Sequence, residues 1–154
     1  EFGSNNIEYI LSSSESIAKA VSSSDMVVGA VYLVGKEAPK VVTIDMLKNM
    51  KPGTVMVDIS IDQGGCFESS RPTTHDDPTF LVNGVVHYCV TNMPGAVPLT
   101  ATEALNKATL PYILELANKG ITRALDENNH LKNGLNTLNG QAVHPGVQEA
   151  LNKH

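Results

Sequence analysis

The spacing of apolar residues changes character near residue 94. Upstream, "DMVVGAVYL" at 25–33 is a continuous valine-rich run, which predicts a strand buried on both faces as in a parallel sheet. "TVMVDI" at 54–59 predicts a second such strand. Between them "TIDMLKNM" from Thr43 reads as a short helix opened by a capping threonine, giving strand, helix, strand. Ahead of the first strand, Ser12 to Val21 places Ile17, Ala18 and Val21 on one helical stripe behind capping serines. "TFLVNGVVHYCV" at 79–90 carries Asn83-Gly84 between apolar runs, a tight-turn signal that leaves open whether a hairpin closes there.

Downstream the period becomes helical. Ala104, Leu105, Ala108, Tyr112, Ile113 and Leu116 form a stripe read as core packing, with a capping box at Thr100 and Glu103, a kink at Pro111 and a stop at Gly120. From Ile121 the pattern predicts short helical pieces broken by "NNHLKNG", "LNG" and "HPG".

Composition narrows the function classes. Of the 154 residues, 42% are hydrophobic and 18% charged, the balance of a globular domain. The net charge of -5 and eleven scattered Lys and Arg argue against a nucleic-acid surface. No apolar run approaches the roughly 20 residues of a membrane span and no signal-peptide layout is visible, so the expectation is a cytoplasmic protein without a membrane partner. Cys66 and Cys89 form no CxxC pair and are expected to stay reduced. The opening EFGS (1–4) reads as a vector-derived scar, with native sequence from about Asn5.

In open parallel sheets ligands bind beyond the carboxyl ends of the strands. Three exits stand out: Val31-Tyr32, Ile59 to Asp62, and Val90-Thr91-Asn92-Met93. Asp62 falls just past its strand, and Gly64-Gly65 would let the chain turn sharply and approach a bound group. Spacing alone leaves a cap or a loop salt bridge open for Asp62. Asp58 reads as structural, accepting loop N–H groups. Arg71, in a long polar loop, could reach a phosphate or carboxylate. His75, Asp76, Asp77, Cys66, His87 and Cys89 have no diagnostic metal spacing, and a buried Cys with a surface His is the usual outcome, so no metal is expected. GxSxG, HExxH and Walker A motifs are absent, as is the G-x-G-x-x-G of a dinucleotide fold.

The strings "MKPGTVMVDISIDQGGCFESSRPTTHDDPTF" and "VHYCVTNMPGAVPLTATEALNKATLPYILELANKG" resemble the bacterial alanine dehydrogenases, members of the alanine dehydrogenase/transhydrogenase family. The resemblance runs from about Ser12 to Gly120 and more loosely beyond. It implies an NAD-dependent enzyme that interconverts L-alanine with pyruvate and ammonia, working as a homo-oligomer. Asp62 matches the family's catalytic aspartate. Ser12, Val31, Tyr32, Ile59, Ser60, Ile61, Asp62, Arg71, Val90, Thr91, Asn92 and Met93 match its NAD contacts, although Tyr32 stands where the family usually has Leu. "VGKEAP" departs from the more usual "VPGAKAP". Transhydrogenases carry a glutamate-containing loop instead, so "IDQGG" favours the dehydrogenase.

The fold class expected is α/β, the second half of a doubly wound, Rossmann-like parallel sheet followed by C-terminal helices. Residues 5–95 would form the C-terminal half of the NAD-binding domain, and 96–154 the helical segment returning to the substrate domain. On this reading the chain is a C-terminal fragment lacking the substrate-binding arginine and lysine, the acid/base histidine and the glycine-rich turn, and is inactive alone. The alternatives are a self-associating or complementation module and a transhydrogenase-like NAD-binding segment.

Overall fold

The protein is described here by a computed structural model covering residues 7–34 and 36–152, so the EFGS stretch and Gly35 lie outside the described residues. The chain divides into two units. One holds the chain up to Tyr32 and Glu37–Thr91, and the other Leu33–Lys36 and the chain from Asn92 onward.

The first unit begins with α1 (Ser14–Ser23), capped by Ser13, whose hydroxyl accepts from the Ser16 N–H while the Ser16 hydroxyl receives the Ser13 N–H in return. Next come β1 (Met26–Gly29), α2 (Ile44–Leu47, capped by Thr43) and β2 (Val55–Asp58). A 3-10 turn at Ile59–Gln63 follows, then β3 (Thr79–Val82) and β4 (Val85–Tyr88). The sheet order is β1-β2-β4-β3, with β1, β2 and β4 parallel and β3 antiparallel to β4. Asn83 and Gly84 both have positive φ, so the turn that the sequence left open closes a true hairpin.

One face of the sheet carries the core. Met56 of β2 and Val85 of β4 pack with Val21, Ala38, Val42, Leu47, Met50, Cys66 and Phe67, supported by Ile17 of α1. The prediction that the first strand is buried on both faces does not hold. β1 is an edge strand, and Met26 and Val28 on its other face are 61% and 54% exposed. A continuous valine run encodes β-propensity on both sides but cannot say whether a neighbour covers each side.

The second unit contains a 3-10 turn at Met93–Ala96, the long α3 (Pro98–Lys119), α4 (Ile121–Glu127), α5 (Asn129–Asn133), a small hairpin of β5 (Thr137–Leu138) and β6 (Gln141–Ala142), and α6 (Pro145–Leu151). Three expectations change here. The helix starts two residues before Thr100, at Pro98, with no side-chain cap, because proline's fixed φ and missing N–H suit the first helical position. Its stripe is not core: α3 has no buried residue, and Leu105 and Ile113 are 64% and 54% exposed. The "LNG" break is a hairpin turn, with Asn139 and Gly140 at positive φ. The helix runs through Pro111 and ends at Gly120 (φ 75°).

Gly29 fixes the spacing between β1 and the loop beneath it. A Cβ there would sit 2.4 Å from Cys66 Sγ and 2.6 Å from Phe67. Gly29→Ala is expected to cost about 1–3 kcal/mol by overpacking, read as a lower urea midpoint; an unchanged midpoint would show that β1 can shift without cost.

Candidate functional site at the β2 exit

β2 ends because its last side chain bonds the chain that follows. Asp58 is fully buried, and its Oδ1 accepts the Ser60 N–H at 3.0 Å. Its Oδ2 accepts the N–H groups of Cys66 (2.8 Å) and Phe67 (3.3 Å) and the Ser70 hydroxyl. Cys66 Sγ lies 3.5 Å from Oδ1. A single carboxylate therefore gathers donors from both ends of the 59–70 loop, which is how a buried charge becomes tolerable. The reading of Asp58 as a structural acceptor of loop N–H groups matches this geometry.

Within the loop, Gly64 (φ 86°) and Gly65 (φ 76°) reverse the chain, and their N–H groups close the 3-10 turn on Ile61 and Ser60 carbonyls, each at 3.0 Å. The reason for the second glycine differs from that expected. A Cβ on Gly65 would meet Asp58 Oδ2 and Ser70 Cβ, both at 2.8 Å, so the space it leaves admits the protein's own carboxylate.

The turn presents Asp62 outward. Ile61 is buried as its anchor, whereas Asp62 is exposed on the carboxyl side of β2. Ser60, itself buried, donates its hydroxyl to the Val31 carbonyl at 2.8 Å, tying this turn to the chain leaving β1. Val31, Ile59, Ser60, Ile61 and Asp62 are thus brought together on one rim, with Tyr32 (66% exposed) and Ile59 (52%) as apolar groups facing solvent. Beyond β4, Val90 is fully buried and pairs with Thr73, whose carbonyl accepts the Thr91 N–H at 3.2 Å.

The remaining sequence candidates lie on other elements. Ser12 is exposed immediately before the cap of α1. Arg71 lies over the Phe80 ring at 4.1 Å from its centroid, a cation–π arrangement. Asn92 (φ 52°) and Met93 belong to the second unit, where they open its first 3-10 turn.

Sequence reasoning missed one polar pair. His87 is buried, not a surface histidine, and stacks on Phe80 with ring centroids 5.0 Å apart. Its Nδ1–H donates to the Val85 carbonyl (3.0 Å), which leaves Nε2 to accept the Ser69 hydroxyl at 2.7 Å. The alternation of β4 places His87 on the same face as Val85 and Cys89, and this was the available signal. Burial lowers the His87 pKa, with the Val85 carbonyl and the Asp58 charge opposing. Burial likewise pushes the thiol pKa values of Cys66 and Cys89 up, which disfavours the thiolate form of each.

The sequence profile described as "Alanine dehydrogenase/PNT, C-terminal domain" matches residues 1–145. Alanine dehydrogenase from Halomonas elongata is 52% identical over 92% of this chain and 38% of its own length. Alanine dehydrogenase from Staphylococcus saprophyticus is 55% identical over 95% of this chain and 40% of its own length. The chain thus spans about two fifths of these relatives. A solved L-alanine dehydrogenase superposes over 99% of this chain and 42% of its own at a TM-score of 0.79 and 47% identity. A transhydrogenase from Sinorhizobium meliloti, at 24% identity and TM-score 0.64 over 86% of this chain and 36% of its own, shares the fold.

Asp58→Asn replaces an acceptor by an amide that turns N–H toward N–H, and should cost about 1.5–3 kcal/mol in urea unfolding. Asp62→Asn, on the exposed rim, should cost less than Asp58→Asn; equal losses at both positions would contradict the contrast between the buried and the exposed carboxylate. For His87 the unfolded chain binds a proton near the ordinary value of 6.5 while the folded chain resists it, so stability falls as pH drops through that value. His87→Phe should flatten this slope in urea midpoints measured from neutral to mildly acidic pH, and an unchanged slope would show that another group sets it.

Proposed function

Because the chain belongs to the alanine dehydrogenase/PNT family through its C-terminal domain, we propose that it supplies the nicotinamide-facing part of an NAD-dependent alanine dehydrogenase. The reaction is the oxidative deamination of L-alanine to pyruvate and ammonia, and its reverse. The observation that carries this reading is Asp62, exposed on a turn anchored by buried Ile61 and Ser60 at the β2 exit.

The residues present fit one end of the cofactor. Gln63 Oε1, next to Asp62, is buried without a hydrogen-bond partner among the described residues, an acceptor suited to an amide N–H such as a carboxamide. Ile59 and Tyr32 offer exposed apolar surface to a flat ring. The G-x-G-x-x-G turn that would receive the pyrophosphate is not among these 154 residues. Ile59, Ser60, Ile61 and Asp62 would hold the pyridine end, with Val31, Tyr32, Ser12, Arg71, Val90 and Thr91 as the further contacts of this unit implied by the family.

When bound, NAD supplies the hydride acceptor. The chain's own part is positional and acid–base. Ile59 and Tyr32 exclude water from the ring's surroundings, and the Ser60–Val31 bond holds the two strand exits at fixed spacing. The Asp62 carboxylate accepts a hydrogen bond from the reacting groups and holds or releases a proton at its outer oxygen. Cations that bind pyruvate, and a histidine for the main proton transfer, come from the family's substrate domain. This stretch of chain is inactive by itself on that reading, and the family resemblance further implies an enzyme that works in the cytoplasm as a homo-oligomer. Residues 5–95 serve the cofactor domain and 96–154 the return to the substrate domain.

A second reading, an association module, draws on α3, which has no buried residue and several exposed leucines. Light scattering after size exclusion tests it, with a monodisperse monomer as the result against it.

The leading reading is tested by co-expressing this chain with the N-terminal portion of the Halomonas elongata relative and following NADH oxidation with pyruvate and ammonia. Turnover is expected from the pair and not from the chain alone, and Asp62→Asn should lower kcat by about a hundredfold or more. Turnover by the chain alone, or an unaffected Asp62→Asn pair, would overturn the respective assignment.

A further inference from the structure

We infer that Lys40 is the positioning residue for the Asp62 turn; its consequence for catalysis rests on the reading of Asp62 given above. Residues 38–44 run alongside the loop that carries Asp62. The Ala38 N–H donates to the Gln63 carbonyl (2.9 Å), the Val41 N–H to Cys66 (2.8 Å), and the Glu68 N–H returns to Val42 (2.8 Å). The Glu68 carboxylate then accepts the Ile44 N–H at 2.8 Å.

Between these bonds stand Gly64 and Gly65. Two successive residues of positive φ turn the chain so sharply that, among the described residues, neither carbonyl accepts a backbone N–H. Lys40 Nζ reaches both, donating to the Gly64 carbonyl and to the Gly65 carbonyl at 2.7 Å. An ammonium has three donors and can bridge two carbonyl oxygens with charge-assisted bonds. Asp58 holds the inner face of the reversal through Ser60, Cys66 and Phe67, and Lys40 holds its outer face through the two glycine carbonyls. The reversal immediately follows Asp62 and Gln63, and its N–H groups close the turn on which Asp62 sits. Releasing the outer clasp frees that turn while leaving β2 in place.

The test uses this chain with Lys40→Met and Lys40→Arg, followed by amide hydrogen exchange and by the carboxyl carbon resonance of Asp62. Lys40→Met should speed exchange at Gly64 and Gly65 by about tenfold or more, the loss expected from a charge-assisted bond, and leave Val57 and Tyr88 unchanged. The Asp62 carboxyl resonance should shift or broaden in Lys40→Met and return in Lys40→Arg, which keeps donors for both carbonyls. An Asp62 resonance unmoved in Lys40→Met overturns the inference, even if exchange rises, because a merely structural clasp would do that much. NADH titration of the parent chain complemented by the N-terminal portion of the Halomonas elongata relative is read separately. Failure of NADH to perturb any residue from Ile59 to Asp62 counts against the cofactor reading, whereas the Lys40 assignment still stands or falls on the Asp62 resonance.

Discussion

The buried carboxylate of Asp58 is the constraint on which the rest of the site depends. Without it, Ser60, Cys66 and Phe67 would each bury an N–H beneath the sheet with no acceptor, a cost comparable to several lost hydrogen bonds. With it, a loop of little regular structure becomes an extension of β2. Gly65 and Gly29 follow from the same packing, one admitting the carboxylate and the other admitting Cys66 and Phe67 beneath β1. The loop's conformation is therefore tied to one acceptor shared among donors distant in sequence.

The two aspartates four positions apart divide the work that the site needs. Asp58 faces inward and is saturated by donors, whereas Asp62, one 3-10 turn later, is exposed. A strand alternates its faces, and a continued strand would have sent both carboxylates to the same side. The switch from strand to 3-10 turn at Ile59 changes that relation, and the Asp58 side chain caps the new turn by accepting the Ser60 N–H.

Much of this was legible in the sequence because it depends on local chemistry. The helices capped by Ser13 and Thr43, the Asn83-Gly84 turn, the Gly120 stop and the structural role of Asp58 all rest on residues whose conformational or hydrogen-bonding needs are their own. Coverage was not legible. The valines of β1 and the stripe of α3 have the composition of buried surface, yet Met26, Val28 and Leu105 are exposed, because burial depends on what packs against an element. The Asn139-Gly140 hairpin carried the same signal as Asn83-Gly84 and was hidden by the very short runs flanking it. The Ser69–His87 bond joins residues 18 apart and needed the sheet register to be seen.

The proposed function turns on Asp62. The chain matches the C-terminal domain of the alanine dehydrogenase/PNT family over residues 1–145 while spanning about two fifths of the relatives it matches. The most direct measurement is a crystal structure of this chain, complemented by the N-terminal portion of a relative, with NADH bound. The account predicts the pyridine ring against Ile59–Asp62, with the Asp62 carboxylate directed at it and Asp58 still holding the N–H groups of Ser60, Cys66 and Phe67. A ring seated away from the β2 exit, or an Asp62 side chain turned from it, would contradict the account.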